Sequence, residues 1–480
     1  MQFNSYSYLF FLLVVVTIFW NLPKKLRRGY VLVISLVFYA TWNVWFVLIP
    51  VSLCAAVYII ARFIVFQPQK SRRWMWCGVT LVLSVLAFFK YRAFLIANVN
   101  VLLTVLGLTT VPWAVAIALP LGISFYSFEA ISYLIDVRQR RIAKLNFLDL
   151  NLFIMFWPHL MAGPIVRVRE LIPQLKFDSK FDTRFILRGV DRLIWGLVQK
   201  NVVANNLGVW VDAGFKSQPP GGYTTLDSWF LAIAFGLQIY FDFAAYSNMA
   251  IGAAQLLGIK LPENFRCPYH AATPVEFWSR WHMTLSRWVR DYLFFPLNAK
   301  FGGAPFPFYT SLIGVMALVG LWHGAGWGFV TWGVLQGVYL VLYRIYESFR
   351  QNRQPELAAS RISAASWRMF TLLAVTLAWV PFRAGNIGQT WGLLSCMLFR
   401  FSAGAAYPKA FYWMTASVAL FCAAEPYLVR LLSVLDGAVD EDRRVLMAGR
   451  LVARGLVYAC GLLLFMVFDQ QATEFIYFQF

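Results

Sequence analysis

The stretch Pro305–Tyr346, PFPFYTSLIGVMALVGLWHGAGWGFVTWGVLQGVYLVLYRIY, decides the fold class. It carries no charged side chain before Arg344 and a single histidine, His323, at its middle. A run of this length is enough for two membrane passes at about 20 residues each. A titratable ring in such a run is costly to keep, so it is a candidate functional group. The competing role for His323 is packing between helices. Gly324, Gly326 and Gly328 beside it allow close backbone approach and a broken or tightly packed helix.

The rest of the chain agrees with a membrane setting. Of 480 residues, 60% are hydrophobic, 18% aromatic and only 13% charged, whereas soluble domains run near 45–50% apolar and about 25% charged. The first apolar run, Tyr6–Leu22, has no basic residues before it and is followed by Lys24, Lys25, Arg27 and Arg28. That order predicts a first transmembrane helix with its N-terminus outside, and not a cleaved signal. The net charge of +20 sits between apolar runs, which fits cytoplasmic loops and lipid headgroups better than nucleic acid. Six scattered cysteines with no CxxC pair read as small hydrophobes.

Hydropathy and loop charge predict a path. Tyr6–Leu22 runs inward, Tyr30–Ile49 outward, Pro50–Phe66 back to a basic loop at 67–73, and Trp74–Phe89 outward again. Tyr91–Leu108 is assigned to the interface, and Trp113–Ile135 returns to Arg138, Arg140, Arg141 and Lys144. Leu148–Val166 is apolar but interrupted by Pro158, His159, Gly163 and Pro164, so it is expected to be re-entrant or in-plane, lining a cavity. Arg184–Lys200 is amphipathic and is assigned to the cytoplasmic interface, Lys200 included. Leu226–Ile259 contains Gln238, Asp242, Ser247 and Asn248, polar groups that must face protein or water. Pro262–Asn298 is the least hydrophobic long stretch and carries His270 and His282 with Arg280, Arg287, Arg290 and Asp291.

Further apolar runs follow at Met369–Pro381, Leu393–Phe401, Phe411–Leu432 and Leu451–Phe468. The expectation is an all-α integral membrane protein, one polytopic domain over 1–480, with about 11 transmembrane helices plus re-entrant pieces. Residues 262–346 form its chemical core. Arg450 and Arg454 place the start of the last helix inside, so the tail 469–480, DQQATEFIYFQF, is expected outside.

His282 and His323 lie 41 positions apart, each in tryptophan-rich surroundings. A buried neutral imidazole can take a proton from a hydroxyl near neutral pH. A metal site is a poor fit, because two histidines here lack nearby cysteines or paired carboxylates.

EFWSRWHMTLSRWVRDYLFFPL followed by LVGLWHGAGWGFVTWG resembles the signature pair of the membrane-bound O-acyltransferase family (MBOAT). The likeness extends to the bacterial branch that acylates envelope polysaccharides, such as the membrane subunits of alginate and cellulose O-acetylation. LPLGISFYSFEAISYLIDV (119–137), FWPHLMAGPIVR (156–167) and QIYFDFAAYSNMAIG (238–252) match that branch too, so the resemblance covers nearly the whole chain. One departure is PLNAKFGGAPFPF, where the branch has a basic PLGGNR-like turn. The WHMTLS wording also resembles the teichoic-acid D-alanyl transferase.

The resemblance implies a helical fold around a central catalytic funnel, with His323 as the catalytic histidine and His282 as the second signature residue. It implies an O-acyltransferase that moves acetyl, or another small acyl group, from a cytoplasmic thioester such as acetyl-CoA towards an extracytoplasmic polysaccharide. No bound cofactor is implied. Trp322, Arg280, Arg287, Asp242 and Asn248 are expected to line the donor and substrate path. Arginine suits the donor's phosphates. His159 and His270 are expected to be structural. The aromatic ending FIYFQF resembles tails in the same branch. It suggests Tyr477 as an acyl relay to an SGNH-hydrolase-like partner outside the bacterial inner membrane; the competing role is an interfacial anchor. Two alternatives stand beside this reading: a D-alanyl or lipid acyltransferase, and a non-enzymatic polysaccharide exporter.

Overall fold

A computed structural model describes residues 1–112, 117–217, 222–301, 304–353, 361–436, 444–468 and 475–476. Every regular element among them is helical. The chain forms two compact units, one of Met1–Arg192 with Met249–Pro262, the other of Leu193–Asn248 with Glu263–Phe480.

In the first unit, helix Tyr6–Asn21 starts at Ser5, whose hydroxyl accepts the Tyr8 N–H at 3.2 Å. Tyr8, Leu12, Val15 and Phe19 point inward at helical spacing, while Phe10 and Leu13 on the same helix are exposed. Apolar groups on both faces suit a helix that has protein on one side and lipid on the other. Lys24–Ala40 and Leu48–Phe66 follow. Trp74–Phe89 and Tyr91–Leu108 were expected as a crossing and a separate interfacial piece. They are instead parts of one continuous apolar helix, Pro68–Val105, with a single π turn at Ala87–Tyr91. No proline or glycine lies at the junction to break the ladder.

The expected Trp113–Ile135 segment begins outside the described residues, and its helix runs Ile123–Arg138, buried at nearly every position. At Leu148–Val166 the expectation of irregular backbone holds. Helix Phe147–Met155 gives way to the single turn Trp157–Leu160, and Met161–Arg167 has no regular structure although all of it is buried. The broken ladder finds side-chain partners: Trp157 N–H donates to Ser35 Oγ at 3.2 Å, and Val166 N–H faces Glu129 Oε1 at 3.5 Å. The His159 imidazole lies 3.0 Å from the same Glu129 carboxyl, and both side chains are buried.

The second unit is organised on the 32-residue helix Thr225–Leu256, whose last residues continue into the first unit. Helices Pro305–His323 and Trp327–Arg353 form a close antiparallel hairpin. Gly320 and Gly333 permit that closeness: a Cβ on Gly320 would strike the Phe329 carbonyl oxygen, and one on Gly333 that of Met316. Helices Arg361–Arg383, Ile387–Leu398, Lys409–Asp436 and Arg444–Phe468 follow.

Six helices among the described residues are long and apolar enough to cross a bilayer: Val44–Phe66, Pro68–Val105, Thr225–Leu256, Phe306–His323, Trp327–Arg350 and Ala365–Arg383. Lys24–Ala40, Ile123–Arg138 and Ile387–Leu398, with 17, 16 and 12 residues, fall short of the ~20 a straight crossing needs. The protein is therefore multi-pass, with fewer full-length spans among the described residues than the eleven expected. All six cysteines are free.

Candidate active site

His323 is the last residue of helix Pro305–His323; the chain then leaves the helix at Gly324 and turns into Trp327–Arg353. The polar ring thus sits at a break in the hairpin, buried and crossed by aromatic rings at steep angles. Trp332 stands perpendicular to it at 5.1 Å, Phe382 at 5.6 Å and Trp322 at 4.9 Å between ring centres. Trp332 itself stacks on Trp379 at 5.8 Å. This aromatic wall fixes the imidazole by packing.

His282 is supplied by the segment Pro262–Asn298. That segment folds as two short helices, Pro274–Arg280 and Met283–Val289, with His282 between them at φ +41°. A left-handed conformation is uncommon for a residue with a Cβ and is held here by the surrounding bonds. His282 Nδ1 lies 3.0 Å from Asn264 Oδ1, which also accepts the Thr284 hydroxyl at 2.8 Å. The Asn264 amide is oriented in turn by donating from Nδ2 to Ser247 Oγ at 3.1 Å. An amide oxygen can only accept, so Nδ1 carries the proton and Nε2 presents its lone pair. Nε2 has no hydrogen-bond partner among the described residues. Burial pushes the His282 pKa down to about 3, so the ring is neutral at physiological pH. The ring centres of His282 and His323 are 6.5 Å apart, and Trp322 lies 6.2 Å from His282.

The structure thus gathers three of the expected residues, His282, His323 and Trp322. The others are placed as follows. The Arg280 guanidinium is held by the Glu276 carboxyl at 2.6 Å, one helical turn away. Arg287 reaches the Met283 and Glu263 carbonyls at 3.3 and 3.4 Å. Asn248 donates to Gln199 Oε1 at 2.7 Å. Asp242 forms a buried ion pair with Lys200 at 2.6 Å. Tyr477 lies outside the described residues, but Phe475 and Ile476 just before it are buried in this unit, Phe475 with its ring 5.6 Å from Phe243. Phe243 in turn stands edge-on to His282 at 4.6 Å. His270 bonds the Cys422 carbonyl oxygen at 3.0 Å.

Sequence reasoning missed Asn264, Trp332 and Lys200. Asn264 precedes His282 by 18 positions in an irregular segment, so no periodic pattern marks it. Lys200 was assigned to the interface; it is 6% exposed, because the chain leaves helix Thr183–Val198 through a π turn, Gln199–Ala204, that turns Lys200 inward.

A model of the family described as "MBOAT, membrane-bound O-acyltransferase family" matches residues 7–378. The chain is 37% identical over 407 residues to the Azotobacter vinelandii protein named "Probable alginate O-acetylase AlgI", covering 83% of this chain and 78% of that protein. It is 35% identical over 398 residues to the Helicobacter pylori peptidoglycan O-acetyltransferase, covering 76% and 72%. A teichoic acid D-alanyltransferase of Streptococcus thermophilus is 30% identical over 46% of this chain and 56% of its own length. With its helical hairpin, its paired buried histidines and these relatives, the chain belongs to the membrane-bound O-acyltransferase family and is an acyltransferase of the multi-pass membrane type.

Proposed function

We propose that this protein passes acetyl groups from cytoplasmic acetyl-CoA to a polysaccharide on the outer side of the bacterial inner membrane. The observation that carries this is the pair of buried imidazoles, His282 and His323, with ring centres 6.5 Å apart, His282 packing on Phe243, which in turn packs on the buried Phe475. The relatives described as alginate and peptidoglycan O-acetylating enzymes support acetyl as the group and a glycan as the acceptor.

In this reading His323 acts as general base on the attacking hydroxyl. The first hydroxyl is that of Tyr477. His323 takes the phenol proton, the phenolate oxygen attacks the thioester carbonyl, and the C–S bond breaks. The thiolate recovers the proton from the imidazolium, leaving a neutral ester on the tail and free CoA. A phenol with an ordinary pKa near ~10 needs such a base. His282, held through Nδ1–H by Asn264, offers Nε2 as an acceptor that orients the hydroxyl or the donor. Arg280 and Arg287 are the candidates for the donor's phosphates. An extracytoplasmic SGNH-type partner then moves the acetyl from the tail to the glycan.

Intact mass of the purified protein after incubation with acetyl-CoA tests this directly. One added acetyl on the wild type, absent from His323→Ala and from Tyr477→Phe, is the expected result. An adduct that persists in Tyr477→Phe removes the relay, and full glycan acetylation in cells carrying His323→Ala removes the catalytic role.

A further inference from the structure

The second unit holds a buried charge pair that takes no part in the acyl-transfer steps proposed above. Lys200 and Asp242 are 6% and 2% exposed, with Nζ 2.6 Å from Oδ1. Buried ion pairs of this kind are weak stabilisers, and apolar residues of similar volume usually do as well. A role beyond stability is therefore sought in what else the pair touches. The second carboxylate oxygen, Oδ2, accepts the Ile476 backbone N–H at 2.8 Å, across 234 positions of sequence. The same face of helix Thr225–Leu256 receives the neighbouring side chain: Phe475 packs at 4.8 Å on Tyr246, one turn after Asp242, and at 5.6 Å on Phe243. Ile476 and Phe475 are 2% and 4% exposed.

We propose that the Lys200–Asp242 pair is a latch that seats the C-terminal tail inside the second unit. Each part has a distinct task. The buried Ile476 N–H needs an acceptor, and here a side chain supplies it. A carboxylate is the strongest acceptor available, but alone at this depth it would be too costly. Lys200 neutralises it, and the π turn Gln199–Ala204 is what brings Lys200 inward. Phe475 adds apolar contact on Phe243 and Tyr246. Asp242 and Lys200 are thus positioning residues. What the seated tail is for rests on the Tyr477 reading above, whereas the seating itself does not.

Hydrogen exchange of the purified full-length protein, read by mass on peptides covering 472–480 and on peptides of helix Thr225–Leu256, tests the latch. Lys200→Met/Asp242→Leu removes both charges together, leaving neither buried alone. Lys200→Met/Asp242→Asn keeps a neutral acceptor at position 242. Ile476→Pro removes the donated N–H and leaves the charge pair intact.

The first and third variants are expected to exchange the tail at least ~10-fold faster than wild type, with the helix still protected. The second is expected to keep most of the protection. A tail as protected as wild type in both Lys200→Met/Asp242→Leu and Ile476→Pro overturns the latch. So does equal release in the Leu and Asn double variants, since the acceptor would then be irrelevant. The relay is judged separately by acetyl mass: a wild-type tail that never gains acetyl ends the relay but leaves the exchange result standing.

Discussion

Asn264 Oδ1 accepts from His282 Nδ1 at 3.0 Å and so decides which nitrogen of that buried ring carries the proton. One amide, itself anchored on Ser247, thus turns His282 into a neutral acceptor. Asn264→Ala leaves the Nδ1–H and the Thr284 hydroxyl without their acceptor, a loss of about 1–3 kcal/mol. The expected outcome is a lower Tm in detergent together with slower acyl transfer. Asn264→Asp keeps the acceptor but adds charge, which favours the imidazolium. Its acyl-transfer rate should fall more than that of wild type between pH 8 and pH 6.

The lowered pKa of His282 has a consequence for stability. The folded value of about 3 lies below the unfolded 6.5, so the unfolded chain binds the proton first as pH falls. The contribution of His282 is complete above pH 6.5 and is progressively lost below it, by ~2 kcal/mol between pH 7 and pH 5. Comparing Tm of wild type with His282→Gln across that range isolates the effect. The lead of wild type over the glutamine variant should shrink at the lower pH.

Gly333→Ala places a methyl against the Met316 carbonyl oxygen at the hairpin crossing. The helices must part or shift, at a cost of about 1–3 kcal/mol. Gly455→Ala, on a helix where a Cβ would meet nothing within 4 Å, is the matched control. It should be neutral or slightly stabilising, by ~0.5–1 kcal/mol. Parallel thermal melts read the difference.

Glu129 and His159, the latter within the broken segment Leu148–Val166, form a buried pair at 3.0 Å. Removing one partner, as in His159→Ala, should cost about 3–5 kcal/mol, because among the described residues the buried carboxyl then keeps a long bond from Val166 N–H. The double change Glu129→Leu/His159→Phe should recover most of that loss. A double variant no more stable than the single one would mean that the pair does more than satisfy itself.

Much of this was legible in the chain itself. Membrane character followed from apolar run lengths, which depend only on bilayer thickness. The break at Leu148–Val166 followed from Pro158, Gly163 and Pro164, since proline and glycine act on their own neighbourhood. His282 and His323 stood out because polar rings are costly in such company, and the family match rests on contiguous motifs.

What the sequence by itself determined is therefore local: where apolar helices form, where they break, and which rare polar residues stand in apolar company. Only the tertiary structure decided the partners. Lys200 passed for an interfacial charge until a π turn brought it to Asp242. Only the fold showed that the carboxylate of Asp242 accepts the Ile476 N–H on its other oxygen. Asn264 carried no signal at all. The physical reason is that helix periodicity and turn chemistry act within a few residues, whereas a buried charge or amide is satisfied by whatever the folded chain brings within 3 Å, here up to 234 positions away.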